Sequence, residues 1–183
     1  MADYAYMKRT NAYPHVEALV KEGLLVTVEA LLMDGKNHTL VVHRENLPLL
    51  EQAADSDLYP QHTTFLSPFD NLFWARGRDE LFWCFRNVLE AYKPGPTRIY
   101  GFFCLAILHR DRLVGRFDAK LDRKTGTLRL KALYLEPGIE PDDLLINGIA
   151  RALRDFLAFH EASELVIERS QPAEFAGRLL AAL

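Results

Sequence analysis

The segment LVGRFDAKLDRKTGTLRLKALYLE, Leu113 to Glu136, constrains the fold more than any other part of the chain. Its side chains alternate with a period of two: Leu113, Gly115, Phe117, Ala119 and Leu121 point one way, and Val114, Arg116, Asp118, Lys120 and Asp122 the other. That is the pattern of a strand with two unlike faces. Arg123-Lys124-Thr125-Gly126 supplies a turn, and the strand that returns carries Arg129 and Lys131 on its polar face. Just before, Ile99 to Leu108 (IYGFFCLAIL) is apolar throughout, as expected of a strand covered on both sides, and His109 to Arg112 is the turn after it. The three strands are expected to form an antiparallel meander whose solvent face is mostly basic.

The flanking segments change period. Thr10 or Asn11 is expected to cap a short helix through PHVEALVKE, with Val16, Leu19 and Val20 as its apolar stripe and Gly23 at its end. LLVTVEALL and HTLVVH then flank Asp34-Gly35, a β-hairpin signal. A short helix followed at once by a hairpin is the second half of a winged helix-turn-helix. The preceding ADYAYM has room for one turn only, so the winged helix is expected to be truncated. Leu47 to Pro60 reads as a short helix and an acidic connection. After Pro137, Pro141-Asp142-Asp143 opens a helix with an acidic first turn and a stripe of Leu145, Ile149, Leu153, Phe156 and Leu157. ELVIE is a short strand, and PAEFAGRLLAAL a closing amphipathic helix. The fold class is therefore α+β, with a partial winged helix and linker in residues 1–60 and a β-rich domain with C-terminal helices in residues 61–183.

With 49% hydrophobic and 26% charged residues, the chain has a globular composition and not a disordered one. No apolar run approaches the ~18 residues of a membrane span, so no membrane partner is expected. Cys84 and Cys104 lie in apolar runs and read as buried free thiols, which points to a cytoplasmic location. Charge is unevenly distributed: thirteen bases stand against six acids between Arg76 and Lys131, and four against nine from Ala132 onward. A local basic excess can bind phosphate, although a solvated face gives the same count.

No histidine or cysteine pair has metal-ligand spacing, and no motif of a nucleotide-binding loop or hydrolase is present. No metal, cofactor or catalytic residue is assigned. Asp70 and Glu90 are the carboxylates expected to be part-buried. Asp70 would fix the Ser67-Pro68-Phe69-Asp70 turn and Glu90 would pair a base of the meander, the alternative being an acid-base pair. Tyr92 is expected to be a packed strand residue. Candidate DNA contacts are Lys8, Arg9, Asn11, Tyr13 and His15 around the first helix, and Lys36, Asn37 and His38 at the hairpin tip. Arg116, Lys120, Arg123, Lys124, Arg129 and Lys131 on the meander complete the set.

FLSPFDNLFW, ELFWCFRNVLEAYKP, RIYGFFCLAIL and DRLVGRFDAKLDRKTGTLRLKALYLEPG together resemble the C-terminal half of the YcaQ/AlkZ-like winged-helix proteins. These are bacterial DNA glycosylases that excise alkylated bases and unhook interstrand crosslinks. The resemblance implies tandem winged helices followed by an antiparallel β-barrel-like domain. Phe65 to Trp83 would be the hinge between them, and the basic hairpin Arg116–Lys131 the DNA-facing side. The family's catalytic motif, Gln-x-Gln or Gln-x-Asp, is not formed by Gln52, Gln61 or Gln171. The implied role is a non-catalytic portion, a fragment or short relative, that grips duplex DNA mainly through phosphates. The alternative is an interaction module, in which the apolar face left by the incomplete winged helix docks a partner or a second copy as a homodimer.

Overall fold

A computed structural model of the chain describes residues 2–75 and 77–183. The chain falls into two compact units, each built from two segments: Met1–Tyr59 with Asn71–Arg86, and Pro60–Asp70 with Asn87–Leu183.

The first unit begins with a 3-10 turn, Ala2–Ala5, and helix α1, Arg9–Lys21. The helix starts earlier than a Thr10 or Asn11 cap would allow. The Lys8 carbonyl already accepts the amides of Asn11 and Ala12 at 2.9 and 3.1 Å, and Lys8 itself gives no side-chain cap. Pro14 is thus inside the helix. The far end behaves as the sequence predicts. Gly23 (φ 74°) donates to the Val20 carbonyl and Leu24 to that of Leu19, a paired closure that needs a left-handed residue at Gly23. Strands β1, Leu25–Leu31, and β2, Asn37–His43, form the expected antiparallel hairpin. Helix α2, Leu47–Ala54, follows, and a second segment adds a 3-10 turn, Asn71–Phe73, and helix α3, Arg78–Trp83. That segment holds the N-terminal turn: Tyr4 Oη donates to the Asn71 carbonyl at 2.7 Å and Trp74 Nε1 to that of Asp3 at 3.0 Å. Cys84, expected to be buried, is exposed at the end of α3.

The second unit is a six-stranded mixed sheet with two helices. The order is β3 (Thr63–Leu66), β4 (Cys104–His109), β5 (Arg112–Asp122), β6 (Thr127–Leu135) and β7 (Glu164–Ile167), with β8 (Ser170–Gln171) also paired to β6. The meander β4-β5-β6 is antiparallel as expected, and β7 and β8 run parallel to β6. No pairing closes β3 onto β7 among the described residues, so the sheet is open and the expected barrel-like closure is absent. The strand in Thr63–Leu66 is a departure from the turn-centred expectation for this stretch, and Ser67–Asp70 then makes the turn, with Asp70 N donating to the Ser67 carbonyl at 2.8 Å.

Helices α4, Asp143–Phe159, and α5, Ala173–Ala181, cover one face of the sheet. Asp142, expected inside the acidic first turn, instead caps α4 from just before it by accepting the Leu145 amide at 2.8 Å. Ile107, Phe117, Leu128, Leu130, Leu133, Ile149, Leu153, Phe175 and Leu179 form the core between them. The core stripe of β6 switches from even to odd positions between Leu130 and Leu133. A bulge does this: Asp118 pairs with Ala132 and Ala119 with Leu130, leaving Lys131 as the extra residue. Helix α4 approaches the sheet so closely that a Cβ on Gly148 would stand 2.5 Å from Thr63 Oγ1.

Candidate nucleic-acid interface

The hairpin β5–β6 places Lys120 directly opposite Arg129, with Arg123 and Lys124 in the turn and Lys131 on the bulge. All five side chains are exposed. They line a cleft of about 510 Å³ together with Leu121 and Asp122. Asp122 stays in the hairpin, where its Oδ1 accepts the Lys124 amide at 3.0 Å. Arg129 pairs with Glu168 at 3.5 Å. Lys120, Arg123, Lys124 and Lys131 form no ion pair within 4 Å among the described residues. Like charges opposed across a strand pair work against the hairpin, so this arrangement costs the fold a little and leaves a cationic surface unneutralised.

Arg116 does not belong to that surface. It is 3% exposed, donates through Nε and Nη2 to Glu136 Oε1 at 2.9 and 2.7 Å, and lies 4.1 Å from the centroid of the Tyr100 ring. The expectation failed because this side of the sheet is covered. Residues 99–103 do not continue β4; they run over the face that carries Arg116 and Asp118. Two buried carboxylates hold them there. Glu90 accepts the amides of Ile99 (3.0 Å), Tyr100 (2.8 Å) and Gly101 (3.4 Å), and Asp118 those of Phe102 (2.8 Å) and Phe103 (3.2 Å). Lys93 Nζ completes the Glu90 site at 2.9 Å, in place of the meander base expected there. Burial pushes the Glu90 pKa up, but the Tyr100 amide, Lys93 and the Ile99 and Gly101 amides outweigh it and hold the group at about 2. A carboxylate so saturated has neither the basicity nor the access that proton transfer needs. Tyr92, expected to be packed, is exposed in the turn after Glu90.

In the first unit, Lys8, Arg9, Asn11, Tyr13 and His15 are all exposed. They do not form one cluster. At about 100° per residue, Arg9 and Tyr13 share one side of α1, and Asn11 and His15 lie on the opposite side. Arg9 is 3.9 Å from Asp3. His15 borders an apolar groove of about 610 Å³ that Val16 and Leu19 also line. Lys36 and Asn37 are exposed beside the hairpin loop, and the part-exposed His38 has its Nε2 on both oxygens of Asp34 in that loop, at 3.1 and 3.0 Å. That hydrogen bond lowers the Asp34 pKa.

Among the described residues, no group of three or more His, Cys, Asp or Glu is arranged to hold a metal ion, and no helix is long and apolar enough to cross a membrane. Sequence reasoning missed the aromatic and charged set on the covered face: Tyr100, Tyr134 and Arg169. A single signal pointed to it, Tyr134 as the lone aromatic of the return strand.

The chain is thus an α+β protein whose longest hairpin carries five exposed bases, four of them in no ion pair within 4 Å among the described residues. The chain belongs to the AlkZ-like DNA glycosylase family, whose model, described as DNA glycosylase AlkZ-like, matches residues 1–159. It is a DNA-repair, glycosylase-like protein by that membership. No solved structure matches it.

Proposed function

We propose that this chain grips duplex DNA without itself carrying the glycosylase chemistry, and that the grip is made by the phosphate backbone on the β5–β6 hairpin. The observation that carries the reading is the cleft in which Lys120, Arg123, Lys124 and Lys131 stand together with no ion pair within 4 Å among the described residues, Asp122 being the carboxylate in its lining. Family membership supplies DNA as the polyanion. Lys36 and Asn37 at the first hairpin, and Lys8, Arg9, Asn11, Tyr13 and His15 on and before α1, extend the surface in the manner of a partial winged helix and its wing. His38 serves the wing by fixing Asp34. Phosphate contacts dominate because the cationic side chains are flexible and carry no fixed array for base edges. The setting is cytoplasmic. Replacing Lys120, Arg123, Lys124 and Lys131 together by alanine is expected to weaken binding to duplexes of unrelated sequence by the same factor. Unchanged affinity would end the reading.

A second reading is favoured by the groove along α1. Its lining is almost wholly apolar, and Val16 and Leu19 are only half-buried there. Burying each is worth on the order of 1.5–3 kcal/mol, so a homodimer or a partner helix seated in it is the alternative role. Sedimentation that shows a monomer at micromolar concentration counts against self-association.

A further inference from the structure

A second cleft, in the sheet-and-helix unit, has a different chemistry. It encloses about 670 Å³ and lies where β6, β8 and residues 99–100 meet. Tyr100 and Tyr134 form one wall as an edge-to-face pair, 5.5 Å between centroids. Leu135 is part of its apolar lining, and Glu136, Arg169 and Gln171 bring polar atoms to it. Tyr100, Tyr134 and Glu136 lie within the span that the family model matches, residues 1–159, and Arg169 and Gln171 lie beyond it.

The charges in it are unequal. Glu136 is neutralised by Arg116, whose Nε and Nη2 both donate to Oε1, and no hydrogen bond to Oε2 is present among the described residues. Arg169 has no carboxylate within 4 Å among the described residues; it donates to the Tyr134 hydroxyl and stands 5.4 Å from the Tyr134 ring centroid. The cleft therefore offers one uncompensated guanidinium, one free acceptor oxygen and an aromatic wall. An inorganic anion would use only the first, and a purely apolar ligand only the last. The volume is within the ~300–1,000 Å³ of small-molecule sites.

We propose that this cleft binds a nucleoside 5′-monophosphate unit, its base against the Tyr100–Tyr134 wall and its phosphate on Arg169. Glu136 Oε2 accepts from an exocyclic amino group of the base, and Gln171 lies at the rim. Such a unit is either a free nucleotide or an unpaired nucleotide of a DNA strand. Stacking on an aromatic wall and a charge-assisted phosphate contact are the two interactions that such ligands use.

Calorimetric titration of the full chain with deoxyadenosine monophosphate, adenosine, inorganic phosphate and a short single-stranded oligodeoxyadenylate tests this. Deoxyadenosine monophosphate is expected to bind, and Arg169→Gln, at an exposed position, to weaken it by about tenfold while leaving adenosine unchanged. An oligonucleotide that binds more tightly than the monomer and displaces it identifies the strand as the source; a monomer that binds alone identifies the free nucleotide. Inorganic phosphate binding as well as the nucleotide, an unchanged affinity in Arg169→Gln, or no heat at millimolar ligand would overturn the proposal. Failure of duplex binding in the hairpin variant leaves this result untouched, since none of its replaced residues lines this cleft.

Discussion

Glu90→Gln gives the most direct view of how the covered face of the sheet is held. The parent carboxylate is buried and accepts three consecutive backbone amides besides the Lys93 ammonium. Glutamine keeps one acceptor oxygen and turns an NH2 group toward amides that are themselves donors. Lys93 also loses its counter-charge. The pKa falls from 4.5 to about 2 on folding. At ~1.4 kcal/mol per unit, and discounted because Lys93 is half-exposed, the ionised group contributes about 2–3 kcal/mol. The sign follows from linkage: a folded-state pKa below the unfolded one stabilises fully above about pH 4.5, and the contribution drains away as pH falls toward about 2. Urea unfolding is expected to show the variant about 2–3 kcal/mol less stable at pH 7, with the gap narrowed by about 1 kcal/mol at pH 3.5. Hydrogen exchange at Ile99, Tyr100 and Gly101 should accelerate with it. A gap under 1 kcal/mol at pH 7, or one that does not narrow in acid, would refute this account of the covering segment.

Two other substitutions separate architecture from binding. Arg116→Ala leaves Glu136 half-buried without its partner and is expected to cost about 3–5 kcal/mol in denaturant unfolding, with no change in the salt dependence of duplex binding. Gly148→Ala forces a Cβ to 2.5 Å from Thr63 Oγ1 and 2.9 Å from His109 Nδ1, splitting their 2.8 Å hydrogen bond; a loss of about 1–3 kcal/mol should appear in thermal denaturation.

The elements most visible in the sequence were those that local chemistry determines: the β1–β2 hairpin with its Asp34-Gly35 loop, the Gly23 helix end, the β5–β6 alternation and the opening of α4 after Pro141. The misses have a common cause, namely that long-range covering is invisible to a periodic pattern. Arg116 and Asp118 alternate as a solvent face does, and only the fold of residues 99–103 over them makes that face interior. The same segment ended β4 early, although its apolar run predicted a strand from Ile99. Edge strand β3 was hidden because four residues beside a Ser-Pro turn carry little period. A single boundary near residue 60 was expected, whereas Asn71–Arg86 returns to the first unit after Pro60–Asp70 has joined the second. The basic hairpin was legible because Lys120, Arg123, Lys124, Arg129 and Lys131 sit in one local structure, and register alone brings them together.

The central claim is that this hairpin meets DNA through phosphates, and the salt dependence of duplex binding tests it. If Lys120, Arg123, Lys124 and Lys131 neutralise four phosphates, log K should fall against log salt with a slope about 3.6 units steeper in the parent than in the variant that has alanine at all four positions. Equal slopes in the two proteins would contradict it.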